Sequence, residues 1–348
     1  MEPVGERLLP EIATCQALVV CVLLLPGALA DDPAQAAMDF VWAERANIPT
    51  PRFAGAAVVV KDHEGNDRIL VLGGIVGNSP SSTVEEYDPS RDVWTERAGL
   101  DCPRFGFGAA VLDNEVYIIG GGHYSLTAVN KYDPWGGPLG EGIDQRQSAD
   151  MPTPRYGLAI AVATSAEGDK RIYAIGGYCP ETHRYVCTVE EYDPDGDGGK
   201  GSWNTEVADL HFARANFAVA VLNNKIYVFG GYNETGRLCS VEEYDPVEDV
   251  WRHRADMPTP RDYLTATVFN DKIYVIGGYY GKKDLAIVEE YDPQTDTWTQ
   301  KTCIPTKIRG HCAAVASTRT GLGSARRLYV ISGKSTGEPL TSVYAVSY

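Results

Sequence analysis

The sequence predicts an all-β protein in which six similar four-stranded sheets surround a central axis. A Val-Glu-Glu-Tyr-Asp-Pro segment recurs along the chain, and an apolar stretch ending in Gly-Gly comes before each copy. The 348 residues include 36 Gly, 21 Pro and 20 Tyr, a composition typical of short strands joined by many turns. Self-similarity at an interval of 47 to 59 residues is characteristic of a repeat architecture.

The recurring hexapeptide is predicted to be the third strand, c, of each sheet. Identical copies lie at 84–89, 189–194, 241–246 and 288–293, and a related Val-Asn-Lys-Tyr-Asp-Pro lies at 129–134. Its Asp-Pro end favours a turn, because Pro lacks a backbone N–H and Asp can hydrogen-bond to the backbone that follows.

Other residues recur in a fixed order around this segment. Strand b carries the Gly-Gly ending, as in ILVLGG, VYIIGG, IYAIGG, IYVFGG and IYVIGG, with LYVISG as the sixth copy. An arginine precedes each unit: Arg52, Arg104, Arg155, Arg214, Arg261 and Arg309. A tryptophan that marks strand d comes before most of these arginines: Trp42, Trp94, Trp203, Trp251 and Trp298. The second repeat instead has Gln145 at that place and an inserted WGGPLGEGID.

The side-chain sizes indicate how the four strands are arranged. Strand a is rich in small residues, for example FAVAVL at 217–222, and small side chains suit the crowded inner edge of a wedge-shaped sheet. Tyrosine and tryptophan on the outer strands supply the area that fills the widening gap between sheets.

These units resemble kelch repeats. The resemblance covers residues 40–348 and depends on the ordered set Arg, Gly-Gly, Tyr-Asp and Trp. It implies a β-propeller with one four-stranded antiparallel blade per repeat, and therefore six blades. We expect an exported kelch propeller without other domains.

The two ends of the repeat region predict that the ring is closed. Residues 40–46, FVWAERA, align with DVWTERA at 92–98, so the region begins with an isolated strand d. Residues 342–348, SVYAVSY, align with SVEEYDP at 240–246, so it stops after a strand c. The first strand should complete the last blade and remove two exposed sheet edges.

The N-terminal residues resemble a secretory signal. The apolar run IATCQALVVCVLLL at 12–25 has signal-peptide length, and Ala28-Leu29-Ala30 fits a cleavage site. We predict a cleaved signal over 1–30 and a short linker over 31–39, which places the protein in a secreted or periplasmic compartment. An uncleaved anchor over 12–30 and a spurious extension upstream of Met38 are the alternatives.

Six cysteines lie outside that run, too few for a disulfide-dense scaffold. Cys179 and Cys187 bracket one loop and are predicted to be bonded to each other in an oxidising compartment. Cys303 and Cys312 are a second candidate pair. No Cys-x-x-Cys spacing suggests a zinc site, and no metal is predicted.

The variable loops indicate a binding face. In a four-stranded meander the b–c and d–a loops share one face, and the b–c loops differ most between repeats. In kelch propellers that bind peptides, residues just after Gly-Gly and just after the arginine line this face. Carried across, these are Tyr178, Tyr232, Tyr279, Asn216, Tyr263 and His311. The alternative is that the tyrosines only cover the ends of the blades.

The repeated arginines allow two interpretations. Arg155, Arg214 and Arg261 are candidates for the binding face, whereas an arginine in every repeat also fits a bridge between blades. DPDGDG at 193–198 resembles the start of a calcium loop, but Asn204 stands where a bidentate Glu is needed, so we favour a plain turn. Asn233-Glu234-Thr235 is a glycosylation sequon.

The motifs and the charge limit the functions that the sequence supports. A net charge of −16 argues against nucleic acid as a partner. No nucleophile elbow, P-loop or His-Glu-x-x-His motif is present, so we predict no catalytic residue and no cofactor. The prediction is a monomeric, non-enzymatic scaffold for a protein or glycan. The alternative is an exported small-molecule enzyme like the six-bladed sialic acid mutarotase, for which paired Glu and Arg at the channel mouth would be the indication.

Overall fold

The computed structural model describes residues 40–123, 126–135, 148–320 and 323–346. Over these ranges the chain is a six-bladed β-propeller with antiparallel blades in the strand order a-b-c-d. The a strands are Ala56–Lys61, Gly108–Leu112, Ala159–Thr164, Ala218–Leu222, Thr265–Phe269 and Cys312–Thr320. The b strands are Asp67–Leu72, Glu115–Ile119, Lys170–Ile175, Lys225–Phe229, Lys272–Ile276 and Gly323–Ile331.

The two outer strands complete each blade. The c strands are Val84–Asp88, Val129–Tyr132, Val189–Asp193, Val241–Asp245, Val288–Asp292 and Val343–Val346. The d strands are Val93–Arg97, Ser202–Asn204, Val250–Arg254 and Thr297–Lys301 in blades 1, 3, 4 and 5, and Ala43–Arg45 in blade 6. The predicted d strand of blade 2, with Gln145, lies outside the described residues.

Short two-stranded hairpins extend the blades at the b–c end. They pair Ile75–Val76 with Ser79–Pro80, Tyr178–Cys179 with Arg184–Tyr185, Tyr232–Asn233 with Gly236–Arg237, Tyr279–Tyr280 with Lys283–Asp284, and Lys334–Ser335 with Glu338–Pro339. In blade 2, Gly122–His123 after strand b instead pairs with Arg104–Phe105, which comes before strand a.

The one helix of the described ranges is a four-residue turn, Gly196–Gly199, within the predicted calcium-like segment. The side chain of Arg171 lies 3.2 Å from the carboxylate of Asp193, the first residue of that segment. No helix in the described part of the chain is long and apolar enough to span a membrane.

The ring closes as the sequence predicted. Ala43–Arg45 pairs antiparallel with Val343–Val346, with Glu44 opposite Tyr344, and so supplies the outer strand of blade 6. This confirms the six-bladed architecture and the joining of the two ends.

The hydrophobic core is divided into six clusters, each between two neighbouring blades. Between blades 3 and 4, Tyr173 and Ile175 pack against Phe217 and Trp251. The same arrangement joins blade 6 to blade 1, where Tyr329 packs with residues of both blades. Because every blade buries its two faces against its neighbours, each depends on both for its stability.

A hydrogen-bond network links the outer strands of adjacent blades. The Tyr244 hydroxyl donates to Asp249 Oδ1 over 2.6 Å, and the same oxygen accepts the N–H of Ala208 over 2.8 Å. The indole of Trp251 donates to the Ala208 carbonyl over 2.8 Å. Burial and the bond to Asp249 raise the pKa of Tyr244, which therefore remains a neutral donor. The tyrosine of strand c, the tryptophan of strand d and the aspartate two residues before that tryptophan thus fasten one blade to the preceding one.

Five of the six repeated arginines are buried: Arg52, Arg104, Arg155, Arg214 and Arg261. Arg214 is fully buried, and its guanidinium donates to the carbonyls of Gly230 and Ser240 and lies 2.6 Å from Glu242. Its own carbonyl accepts the N–H of Gly177 in the preceding blade over 2.8 Å. The equivalent ion pairs are Arg52–Glu85, Arg155–Glu190 and Arg261–Glu289.

Blade 6 departs from this rule, and here the sequence alignment was off by one residue. The N–H of Gly278 donates to the carbonyl of Ile308 over 2.9 Å, just as the N–H of Gly231 donates to that of Arg261 over 2.9 Å. The buried Ile308 therefore occupies the arginine position. Arg309 lies one residue further on and is not part of the buried set.

The predicted disulfide between Cys179 and Cys187 is not formed, because both residues are free thiols. The hairpin register places Cys179 opposite Arg184. Cys187 lies three residues beyond Arg184 and packs instead against the core between blades 3 and 4. Cys312 is also a free thiol, buried in the core between blades 6 and 1, so the second candidate pair is not formed either.

Candidate functional site

A closed circle of backbone hydrogen bonds surrounds the channel mouth at the b–c/d–a face. Six residues take part, one from each d–a loop, and each N–H donates to the carbonyl of the preceding member over 2.6 to 3.0 Å. All six have a positive φ, between 53° and 65°: Ala54, Gly106, Gly157, Asn216, Tyr263 and Gly310. We call this set the mouth ring. It fixes the spacing of the six blades at the face.

The left-handed conformation explains why glycine holds three of the six positions of the mouth ring. In this region a Cβ approaches the following carbonyl, which costs roughly 1–2 kcal/mol for most residues. Asn216 tolerates it as asparagines commonly do. Tyr263, with φ 53°, is the one Tyr, Phe or Trp of the described ranges in this region, so its backbone is strained at the centre of the face.

The side chains that line the channel beneath the mouth ring are mostly apolar. A cavity of about 180 Å³ lies between the first residues of the six a strands. Among the described residues that line it, the only polar side chains are Thr265, His311 and Cys312, with no carboxylate and no arginine. The paired Glu and Arg expected for a mutarotase-like pocket are therefore not at this channel mouth.

His311 lies inside the channel wall rather than on the outer face. It is buried, and its Nε2 is 2.8 Å from Thr265 Oγ1. Burial, together with the nearby Arg261 guanidinium, lowers the pKa of His311 to about 3, so the ring is neutral at physiological pH. Because the arginine position is Ile308, the residue of blade 6 equivalent to Asn216 and Tyr263 is Gly310, and His311 is equivalent to Phe107 and Phe217.

A continuous line of aromatic rings crosses the face from blade 2 to blade 5. Successive ring centroids are separated by 5.9 Å, 5.5 Å, 5.2 Å and 5.6 Å, and the line ends with an arginine placed between two tyrosines. We call these rings the aromatic arc: Phe105, Tyr156, Tyr178, Tyr185, Tyr232 and Tyr279. All six are half-buried.

Two guanidinium groups are fixed on the arc by buried carboxylates. Arg237 lies 5.4 Å from the ring centroid of Tyr232 and 4.6 Å from that of Tyr279, and its Nε donates to Asp262 over 2.8 Å. Arg309 lies 4.1 Å from the Tyr279 centroid and 3.3 Å from the carboxylate of Asp284. Burial raises the pKa of Asp262, and Arg237 opposes that shift. The cations are therefore held in place before any ligand arrives.

The structure brings together most of the residues predicted for the face. Tyr178, Tyr232 and Tyr279 belong to the aromatic arc, while Asn216 and Tyr263 belong to the mouth ring. Other members of the face were not predicted from the sequence: Phe105, Tyr156, Tyr185, Arg237 and Arg309. A signal was present for two of these, since Phe105 and Tyr156 directly follow the repeat arginines.

The remaining predicted residues are buried. Arg155, Arg214 and Arg261 are fully buried beneath the face, and their ion pairs account for their positions. Asn233 of the sequon is also buried, and its Nδ2 donates to the carbonyl of Ala213 over 2.9 Å. In the folded protein the Asn233 side-chain amide is therefore buried and hydrogen-bonded to the backbone.

Comparison with known proteins identifies the family. A family model described as the KLHDC2/KLHL20/DRC7 Kelch-repeats domain matches residues 161–347, more than half of the chain. The chain belongs to the kelch-repeat family. A second model, the Kelch motif, matches residues 52–100 of this kelch protein.

Curated kelch proteins align with over half of the chain. Kelch-like protein 25 of Xenopus tropicalis is 30% identical over 258 residues, which cover 62% of this chain and 42% of the relative. Kelch-like protein 23 of Homo sapiens is 28% identical over 222 residues, covering 63% and 35%. Spermatocyte protein spe-26 of Caenorhabditis elegans is 28% identical over 203 residues, covering 56% and 33%. Each match thus spans less than half of the relative's length.

Proposed function

We propose that this kelch propeller is a non-enzymatic scaffold that binds a segment of another protein on its b–c/d–a face. The observation that carries the proposal is the aromatic arc, in which five rings contact one another in sequence and Arg237 links the last of them to Tyr279, where Arg309 also lies. Tyrosine and arginine are the residues that most often dominate binding energy at protein interfaces.

Preorganisation supports the same function. The rings of the arc are half-buried, and Arg237 is held by Asp262. Side chains already ordered in the unbound protein lose little conformational entropy when a partner binds. The mouth ring adds a rigid backbone frame beneath them.

Ring orientation favours a polypeptide over a glycan. Neighbouring rings of the arc meet at interplanar angles of 57° to 74°, and the Tyr279 face is shared by Arg237 and Arg309. A sugar stacks on a broad exposed ring face, whereas tilted rings form the grooves that receive peptide side chains. Glycan binding is therefore treated as the competing outcome.

The channel supports a scaffold over a small-molecule enzyme. Its described lining contains no carboxylate or arginine, and His311 is neutral and bonded to Thr265. General acid–base chemistry on a sugar needs groups that can exchange protons near neutral pH. The lining of this channel provides none with that property.

We also propose that the protein is exported. The support is the sequence of residues 1–30, which lie outside the described residues, with its apolar run and Ala28-Leu29-Ala30 ending. N-terminal sequencing of protein recovered from the medium should begin at Asp31 or within a few residues of it. Protein found only in the cytosol, still beginning at Met1 or Met38, would contradict export without bearing on the binding face.

The binding proposal is tested by co-purification from extracellular fluid and, in parallel, from cytosol. The bait is the wild-type chain or the Tyr232→Ala/Tyr279→Ala variant. As a matched control, Val247→Ala/Val250→Ala removes two exposed side chains of blade 4 that lie around its c–d turn, on the opposite face. The arc variant should lose a protein partner that the control retains.

Two results would overturn the binding proposal. One is an arc variant that keeps every partner of the wild type. The other is a captured glycoprotein whose binding disappears after enzymatic deglycosylation, which would indicate a glycan ligand.

A further inference from the structure

Blade 6 breaks the repeat rule at two positions that contact each other in other blades. Ile308 replaces the buried arginine, and Tyr344 replaces the glutamate of strand c. The Tyr344 hydroxyl lies 2.8 Å from Thr306 Oγ1, where in blade 1 Thr50 donates to Glu85 over 2.9 Å. Positions at which a protein departs from its own local rules are where function is expected.

A polar pocket lies next to these substitutions. It has a volume of about 280 Å³ and is open at the rim of blade 6, between strand c and the chain that leads out of strand d. The polar side chains that line it all carry oxygen: Glu44, Asn47, Thr306, Thr341, Ser342 and Tyr344. The pocket is separate from the aromatic arc, which ends at blade 5.

The charge and the hydrogen-bonding groups of the pocket favour a cationic ligand that donates hydrogen bonds. Glu44 is its only charged lining residue, is exposed, and forms no ion pair with any described residue. Ser342 Oγ is buried and has no hydrogen-bond partner among the described residues. Buried polar atoms normally have partners, so an unpartnered hydroxyl at a pocket points to an occupant that supplies one.

We propose that this pocket binds a primary ammonium group, such as the end of a lysine side chain on a partner protein. An ammonium carries three N–H donors and no acceptor, and so matches several oxygens around one carboxylate. A guanidinium could also pair with the Glu44 carboxylate, so the titration below compares the two cations directly. A calcium ion takes about six to eight oxygen ligands and favours more carboxylates than the single one in this pocket. The site does not depend on the aromatic arc.

The test is a titration of the intact isotope-labelled protein with n-butylammonium chloride, followed by NMR. Saturable shifts in the millimolar range are expected for the backbone amides of residues 340–344. Sodium chloride and n-butanol, titrated in the same way, should not produce them. Glu44→Gln should weaken binding about fivefold, the upper range for an exposed charge pair.

Two further variants separate a specific site from general surface charge. Glu96→Gln changes the residue at the equivalent place on strand d of blade 1 and should leave the titration unchanged. Ser342→Ala should weaken butylammonium binding while keeping the unfolding temperature, because it removes a hydroxyl without a partner.

The proposal fails if residues 340–344 show no saturable shift, or if Glu44→Gln and wild type titrate alike. Tighter binding of guanidinium than of butylammonium would overturn the assignment to an ammonium group. None of these results depends on whether the aromatic arc binds a protein.

Discussion

Blades 1, 3, 4 and 5 differ from blade 6 in how they fill the same buried space. The four blades hold an arginine against a glutamate, both almost completely inaccessible to solvent. Blade 6 holds Ile308 and Tyr344 there. Yet all six blades contain the same a-b-c sheet over the described residues and join the same mouth ring. The ion pair is therefore not needed to build a blade, which agrees with the heavy desolvation cost of buried charges.

Blade 2 shows when the glutamate that pairs with the buried arginine can be replaced. It keeps Arg104, but Asn130 stands where the glutamate would be, and Asp101 supplies the carboxylate at 2.7 Å. A buried guanidinium in this protein thus has an anion nearby even where the usual partner is missing. The comparison teaches that a blade tolerates both charges or neither, and not one alone.

The most damaging change should be the removal of one partner from an intact pair. Glu190→Ala leaves Arg155 buried without its anion and should lower the free energy of unfolding by about 3–5 kcal/mol. Urea unfolding measures the loss. Asp113→Ala breaks an exposed ion pair with Lys170 and is the matched control, expected to cost at most about 1 kcal/mol. Equal losses for the two variants would refute the comparison.

A smaller effect is expected from restoring the pair in blade 6. Ile308→Arg and Tyr344→Glu should each destabilise the protein, because each buries one unpaired charge. The loss in free energy of unfolding of the double variant should be about 2 kcal/mol smaller than the two single losses added together. This difference is within the usual range for residues in contact. Additive losses in the double-mutant cycle would mean that blade 6 is not equivalent to the others at this position.

The smallest expected effect is a pH dependence of the free energy of unfolding, which arises from His311 of blade 6. The folded protein lowers the pKa of His311 from 6.5 to about 3, so the unfolded chain takes up a proton first as the pH falls. The contribution of His311 is complete above pH 6.5 and is lost progressively toward pH 3. Between pH 7.5 and 5.5 the loss of stability amounts to about 1.4 kcal/mol.

The variant His311→Phe, which restores the residue found at Phe107 and Phe217, should remove this part of the pH dependence. Thermal unfolding at the two pH values measures it. His63→Phe, on the surface, is the control and should keep the wild-type slope. An unchanged slope in His311→Phe would contradict the assigned pKa.

Much of the fold could be predicted from the sequence because the repeat is dictated by strong local physics. The glycines mark the end of strand b, Asp-Pro marks the turn after strand c, and the tryptophan marks strand d. The pairing of Ala43–Arg45 with Val343–Val346 followed directly from aligning the two ends. These features depend on backbone geometry that each repeat specifies for itself.

The face was less predictable because its side chains meet across different repeats. Arg237 lies over Tyr279 of the next blade, a contact that no spacing in the sequence shows. In blade 6, Arg309 was aligned with the repeat arginines although Ile308 occupies that position. The same shift of one residue assigned His311 to the face. Cys179 and Cys187 were close in sequence, but the hairpin register separates them.

The most direct test of the account is the affinity of a captured partner for two neighbouring tyrosine variants, measured by calorimetry. Tyr279 belongs to the aromatic arc, whereas Tyr280, the next residue of the same hairpin strand, is 45% exposed and lies outside the arc. Tyr279→Ala should weaken binding about 30-fold, as expected for a dominant interface residue. Tyr280→Ala should change the affinity less than about twofold. Equal losses, or a loss confined to Tyr280→Ala, would contradict the claim that the arc is the binding surface.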